Sequence, residues 1–289
     1  MPVMSAATAL AALLVTSLNA PLAVEPPEEV FPPAGYLEKS LIATLAIAQQ
    51  TEDKTPGIGF ADGSCLYSAH LSPGAEVSLT HDANKDEVFM AVAAPDDPKL
   101  DINLWITNSD DKELGKDTSE SSACMAPFKA TDDKGFGFKL RNDGKEDAFV
   151  TLILMKNGGH SKKVTQAAES MDTLMTAVRA MSAVDDGMSF ADGGEWCLYG
   201  GFLKEKTSFT VAGLELVAPV SLFLGACSAG SKDIDIILQD KEGKAVASDE
   251  EDDNRPVVEV KKKLKGIQAL LGNSGGDAFC TMVAINATK

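Results

Sequence analysis

Basic residues, aromatics and histidines are all scarce in this chain of 289 residues. It has 26 Lys and Arg against 43 Asp and Glu, for a formal charge of -17. Binding to a nucleic-acid backbone is driven by cationic side chains that release counterions, so nucleic acid is excluded as the main partner. Of the three histidines, His81 and His160 have no partners at metal-ligand spacing, and no Cys-x-x-Cys occurs, which removes support for a zinc site. No Gly-rich phosphate loop is present, so nucleotide binding has no support either. Trp105 and Trp196 are the only tryptophans, thin material for an aromatic sugar platform, and core packing is the commoner role of such residues. What the chain does have is aliphatic bulk. Hydrophobic residues make up 44% and charged residues 24%, the balance of a chain that folds around a core.

An uncharged apolar stretch from Ala6 to Leu18, then small residues and an acidic, Pro-rich segment, reads as a signal peptide spanning residues 1–23. The stretch falls short of the roughly 20 apolar residues of a membrane span, so no stable span is expected after cleavage. No Cys stands near the cleavage position to carry a lipid anchor. The expected location is outside the cytoplasm, in the periplasm, in the cell envelope or secreted.

The chain is an internal duplication. Phe60-Ala-Asp-Gly-Ser-Cys65-Leu-Tyr returns as Phe190-Ala-Asp-Gly-Gly-Glu-Trp-Cys197-Leu-Tyr; Asp101-Ile-Asn-Leu104 matches Asp233-Ile-Asp-Ile236; Asp147-Ala-Phe-Val-Thr151 matches Asp277-Ala-Phe-Cys-Thr281. A constant offset of this length means tandem domains with separate cores, since solenoid repeats have periods of roughly 20–50 residues. Each copy opens with an apolar stripe at helical spacing, Leu37, Leu41, Ile42 and Leu45 in the first and Met171, Leu174, Met175 and Val178 in the second. Short β-type runs follow, among them Val88–Ala93, Ile102–Thr107 and Ala148–Met155, then Ser221–Gly225, Ile234–Gln239 and Ala278–Ile285, separated by Asn, Asp and Gly turns. Without βαβ alternation, these predict a mainly β fold: two tandem antiparallel β-sandwich, jelly-roll-like domains, each preceded by an amphipathic helix. The expected domains are residues 34–157 and 165–289, with a Gly-rich linker at 158–164.

Five cysteines in an exported chain meet an oxidising compartment, and one is left over. Cys280 stands where the first copy has Val150, which marks it as the buried free thiol. The pairing expected is then Cys65–Cys124 and Cys197–Cys227, one bond per copy, although sequence alone permits other connectivities.

The stretch from Asp233 through Asp240-Lys-Glu-Gly243 to Asp249, and on to Arg255-Pro-Val-Val-Glu-Val260, resembles the bacterial pre-peptidase C-terminal domain. The first copy has a weaker version in Asp101, Asn103, Asp110 and Asp117. The resemblance implies β-sandwich modules attached to secreted proteases and other exported proteins, some of which bind calcium, carbohydrate or collagen-like protein. It brings no catalytic residue.

Asp101 and Asp117 are 16 residues apart, as are Asp233 and Asp249. Alternate strand residues share a face, so Asp233 projects with Asp235, and Asp101 with Asn103, while a following hairpin could bring Asp249 or Asp117 beside them. Such oxygen ligands suit Ca²⁺, whereas the commoner role of recurring Asp is to decorate turns and a solvated sheet face. The acidic run Asp249–Asp253 reads as a solvated loop. Gly272-Asn-Ser274-Gly-Gly276 resembles the nucleophile loop of trypsin-like proteases, with His70 as the imaginable base and Asp101 or Asp133 as the orienting acid. Against this, His70 aligns with Phe202, and the Ser274 loop aligns with the ordinary turn Asn142-Asp-Gly-Lys. The function expected is a non-catalytic exported module that binds a protein or carbohydrate partner or contributes to the envelope, with Ca²⁺ as the one cofactor to test. The rival is an exported serine hydrolase using Ser274.

Overall fold

The structure, a computed structural model, describes residues 32–183, 187–190 and 195–287; the expected signal peptide and residues 191–194 of the repeated motif lie outside these. The first copy runs α1 (Pro32–Lys54), β1 (Ile58–Phe60), β2 (Leu66–Leu71), β3 (Glu76–His81), β4 (Val88–Pro95), β5 (Ile102–Asn108), β6 (Glu113–Asp117), β7 (Cys124–Lys129), β8 (Phe136–Asn142) and β9 (Ala148–Asn157). The second runs α2 (Val164–Ser182), β10 (Ser189–Phe190), β11 (Glu195–Leu203), β12 (Thr207–Leu216), β13 (Val220–Cys227), β14 (Ile234–Gln239), β15 (Ala245–Asp249), β16 (Val257–Val260), β17 (Leu264–Asn273) and β18 (Ala278–Ala287). The fold is mainly β: two antiparallel β-sandwich units, each preceded by a helix with one buried face.

The layers of the two units join. A ten-stranded sheet takes the order β16-β13-β18-β11-β2-β9-β4-β7, with β1 on β9 and β10 on β18 off that path. Two four-stranded sheets, β3-β8-β5-β6 and β12-β17-β14-β15, complete the sandwiches. Alternation along β2 shows how the layers stack. Ser68 faces the helices through Thr151, while its neighbour Tyr67 faces Phe138 of the outer sheet.

The seam is the pairing of β2 with β11. Tyr67 lies directly opposite Tyr199, its own counterpart in the other copy, and the two rings meet edge to face at 6.4 Å. Equivalent strands paired antiparallel about equivalent residues are related by a local twofold axis, the geometry of an isologous dimer interface. Each tyrosine is buried, and each hydroxyl donates to the carbonyl three residues back, Tyr67 to Ser64 at 2.6 Å and Tyr199 to Trp196 at 3.1 Å. Close approach needs glycine at Gly201, where a Cβ would stand 2.0 Å from the carbonyl oxygen of Gly63. A bulge at Cys197 aims Trp196 across the seam; its indole N–H donates to Ser78 O at 3.0 Å and its ring packs on Tyr67 and Phe138.

Separate cores are therefore not what forms. Buried residues of both copies belong to one apolar cluster, because both faces of β2 and β11 are covered and continuous with their neighbours. The cysteine expectation also fails: all five cysteines are buried, and the expected partners stand strands apart. Cys65 precedes β2 and Cys124 opens β7, three strands away in the sheet order, about 14 Å at the usual strand spacing. Cys197 and Cys227 lie on β11 and β13 with β18 between them. Neither separation fits a disulfide, whose Cα atoms stand roughly 4.4–6.8 Å apart.

Each helix docks through the same buried hydroxyl pair. Ser40 Oγ meets Thr151 Oγ1 at 2.5 Å and donates to Ala94 O, and Ser170 Oγ meets Thr281 Oγ1 at 2.7 Å and donates to Ala226 O. Thr151 has an additional partner in Ser68 Oγ at 2.8 Å, whereas Gly200 stands at the matching place in the second copy. Replacing Thr151 by Val therefore strands Ser68 Oγ and takes one of the two bonds of Ser40, whereas Thr281→Val strands no hydroxyl and only takes one of the two bonds of Ser170. The expected losses in urea unfolding are about 2–3 and about 1–2 kcal/mol respectively. Equal losses would contradict this assignment of partners.

Candidate functional site

Of the six candidate metal positions, Asp117 and Asp249 share one role and Asn103 and Asp235 another. Asp117 ends β6 and accepts from Met125 N at 2.9 Å and from Ser119 N and Oγ; burial opposes its ionisation, but these donors outweigh it and hold the carboxyl below its ordinary range. Asp249 ends β15 and accepts from Val257 N at 2.8 Å, the same contact eight residues ahead. Both therefore clasp the connection that crosses from the outer sheet to the ten-stranded one.

Asn103 and Asp235 each belong to a side-chain pair whose polarity is exchanged between copies. Asn103 on β5 donates through Nδ2 to Asp143, which also holds Arg141 Nε at 2.8 Å. In the second copy Asp235 stands in place of Asn103, Ser274 in place of Asp143 and Gly272 in place of Arg141. Ser274 Oγ donates to Asp235 at 3.2 Å. Burial, joined by the nearby charges of Asp233, Glu250 and Asp249, raises the Asp235 carboxyl above its ordinary range. Asp101 Oδ1 and Asn103 Oδ1 are buried without a hydrogen-bond partner among the described residues. Among those residues no three His, Cys, Asp or Glu side chains gather closely enough to hold a metal ion. Ser274 is thus engaged by a carboxylate, and the histidines lie against other groups: His70 on Phe149, His81 among Phe89 and Phe136, His160 on Asp62.

Beside α1 lies a cleft of about 970 Å³ that sequence reading did not single out. Tyr36 and Lys39 of α1 form one wall, and Asp96 to Leu100, the connection from β4 to β5, forms a second. His70, Asp147, Phe149 and, from the second copy, Phe190 form the floor. Tyr36 is 46% exposed, with Lys39 Nζ 5.1 Å from its ring centre. His70 stacks on Phe149 at 4.9 Å, and Phe190 meets Phe149 edge-on at 5.5 Å. Asp96 accepts from Phe149 N at 2.8 Å; burial nevertheless raises its carboxyl above the ordinary range. Asp97, Glu146 and Asp147 add further carboxylates, and Lys99 a second cation. The site draws on five separated stretches of chain, so no local motif marks it; the nearest signal is Asp96-Asp97-Pro98 ending an apolar strand.

The matching place in the second copy is filled. There His160 packs on Phe202 at 4.6 Å, Lys163 Nζ lies 4.0 Å from the same ring, and Phe60 meets Phe279 at 5.4 Å as Phe190 meets Phe149. Residues 158–163 supply this filling, and their counterparts at the repeat offset, 28–33, lie outside the described residues except for the last two.

No family model matches the chain, and no curated protein does. The resemblance to pre-peptidase C-terminal domains therefore goes no further than the β-sandwich architecture. Among solved structures the chain is similar to the PBSX exported protein XepA, at 10% identity over 79% of this chain and 86% of that one, with a TM-score of 0.27. It is also similar to the tandem CBM22 domains of Xyn10C from Paenibacillus barcinonensis, at 9% identity, 81% and 94% coverage and a TM-score of 0.21. A chain of Sulfolobus turreted icosahedral virus gives 7%, 80% and 90%, and 0.25. Superpositions this loose assign neither a family nor a ligand.

If Asp117 and Asp249 are clasps, Asp117→Ala and Asp249→Ala each lower stability by about 1 kcal/mol, equally in calcium and in chelator. A loss confined to calcium-containing buffer would make them ligands instead.

Proposed function

We propose that this chain is a non-catalytic binding module, working outside the cytoplasm, that takes a short saccharide in the cleft between α1 and the start of β5. The observation that supports it is the composition of the cleft: a half-exposed tyrosine and stacked aromatic floor beside several carboxylates and two lysines. A sugar offers apolar ring faces to aromatic side chains and hydroxyls to carboxylates and ammonium groups, and the volume suits a small oligosaccharide. A binding role also fits the place of Ser274, which takes the part of a hairpin hydrogen-bond partner to Asp235. A β-sandwich module attached to exported proteins, as the family resemblance implies, is consistent with the same role.

Titration calorimetry of the full chain against a panel of neutral and amino-sugar oligosaccharides tests the reading. At least one should bind, and Tyr36→Ala and Asp97→Ala should each weaken it by about tenfold, roughly 1.4 kcal/mol, without lowering the melting temperature. Binding that ignores both substitutions, or none across the panel, would contradict it. Binding seen only in a chain that starts at Pro32 would assign the cleft to the preceding segment.

A further inference from the structure

Cys227 and Cys280 are directly opposite each other in the ladder between β13 and β18. The hydrogen bonds around them set the type of pair. Ser228 N donates to Phe279 O at 2.9 Å, so the next pair outward is a hydrogen-bonded one. Gly225 N donates the other way, to Pro256 O beside β16, which gives Cys227 the same outward direction two residues on. Cys227 and Cys280 are therefore a non-hydrogen-bonded pair, with Cα atoms about 4.5 Å apart and side chains on one face. That spacing lies at the near end of the disulfide range.

The duplication supplies a control. Pro95 and Val150 hold the same paired position in the first copy, in the same register. The hydrogen bonds just outside match too, with Asp96 in place of Ser228: Phe149 N donates to Asp96 Oδ1 as Phe279 N donates to Ser228 Oγ. Between otherwise matching frames, both members of one cross-strand pair are cysteine in one copy and neither is in the other.

We propose that Cys227 and Cys280 are a cross-strand disulfide pair, closed by thiol–disulfide exchange while the second unit folds. One cysteine thiolate attacks a small-molecule disulfide such as oxidised glutathione and releases one thiol; the second attacks the mixed disulfide, forms the protein S–S bond and releases the other. The two protons lost by the cysteines end on the two released thiols, and the two electrons reduce the oxidant. Closure belongs to folding because the folded thiols are buried, which raises both above the ordinary thiol range and slows attack. The bond would close a loop of roughly fifty residues that contains all of β14 to β17, so it holds the second outer sheet to the ten-stranded one.

The experiment is refolding of the full chain in a glutathione redox buffer, then alkylation under denaturing conditions and peptide mapping. Two of the five thiols should be lost, with a single linked peptide joining Cys227 to Cys280. The melting temperature should stand about 5–10 °C above that of the same protein kept in reductant. Cys280→Val, which restores the side chain of the first copy, should fold, retain four free thiols and melt independently of reductant. Five free thiols after oxidative refolding, a bond involving Cys65, Cys124 or Cys197, or a disulfide between chains would each overturn the proposal.

Discussion

The antiparallel pairing of β2 with β11 is the constraint on which the rest of the structure depends. It turns two sandwiches into one ten-stranded layer and sets Tyr67 against Tyr199 on a local twofold axis. Once those strands are paired, both helices must lie on the same side. α1 and α2 pack together there, joined by Arg179 to Glu38 at 2.5 Å. On the other side the seam is closed by Trp196, which reaches from the second copy into the outer sheet of the first through its indole N–H. The Cys-Leu-Tyr element thus recurs because it builds the interface at which the copies meet.

Within that frame the copies have diverged by compensated exchanges. The hydrogen bond Asn103 gives to Asp143 becomes one that Asp235 receives from Ser274, and the arginine beside it becomes Gly272. Each version keeps one hydrogen bond across the polar pair at the same corner of the hairpin, and in the first copy Asn103 Oδ1 has no hydrogen-bond partner among the described residues. Thr151 gains Ser68 as a partner where the second copy has glycine. The cleft lined by Tyr36 and Asp96 is matched in the second copy by a place occupied by His160 and Lys163. Divergence of this kind leaves the scaffold unchanged and concentrates the differences in one open site and one pair of cysteines.

Local pattern made much of the fold legible. The helical stripes at Leu37, Leu41 and Leu45 and at Met171, Leu174 and Met175 are buried, and the apolar runs at Val88, Ile102, Ala148, Ser221, Ile234 and Ala278 are strands. β17 was harder to see because polar and glycine residues interrupt it from Leu264 to Gly266 and the pattern resembles a loop. The joining of the sheets was not legible, since the choice of β11 as partner for β2, 132 residues away, leaves no trace in either strand's periodicity. The cysteine pairing failed for the same reason. Equivalence between copies identifies positions, whereas a disulfide depends on which strands are neighbours. The Asp spacing is visible in the sequence, but the contacts that Asp117 and Asp249 make to backbone N–H groups eight residues ahead depend on the fold.

A shared sheet and a shared core require the two copies to unfold together, because separating them exposes both faces of β2 and β11. Differential scanning calorimetry of the full chain tests this most directly. The account predicts a single transition whose calorimetric and van't Hoff enthalpies agree. Two resolved transitions, one for each copy, would contradict it.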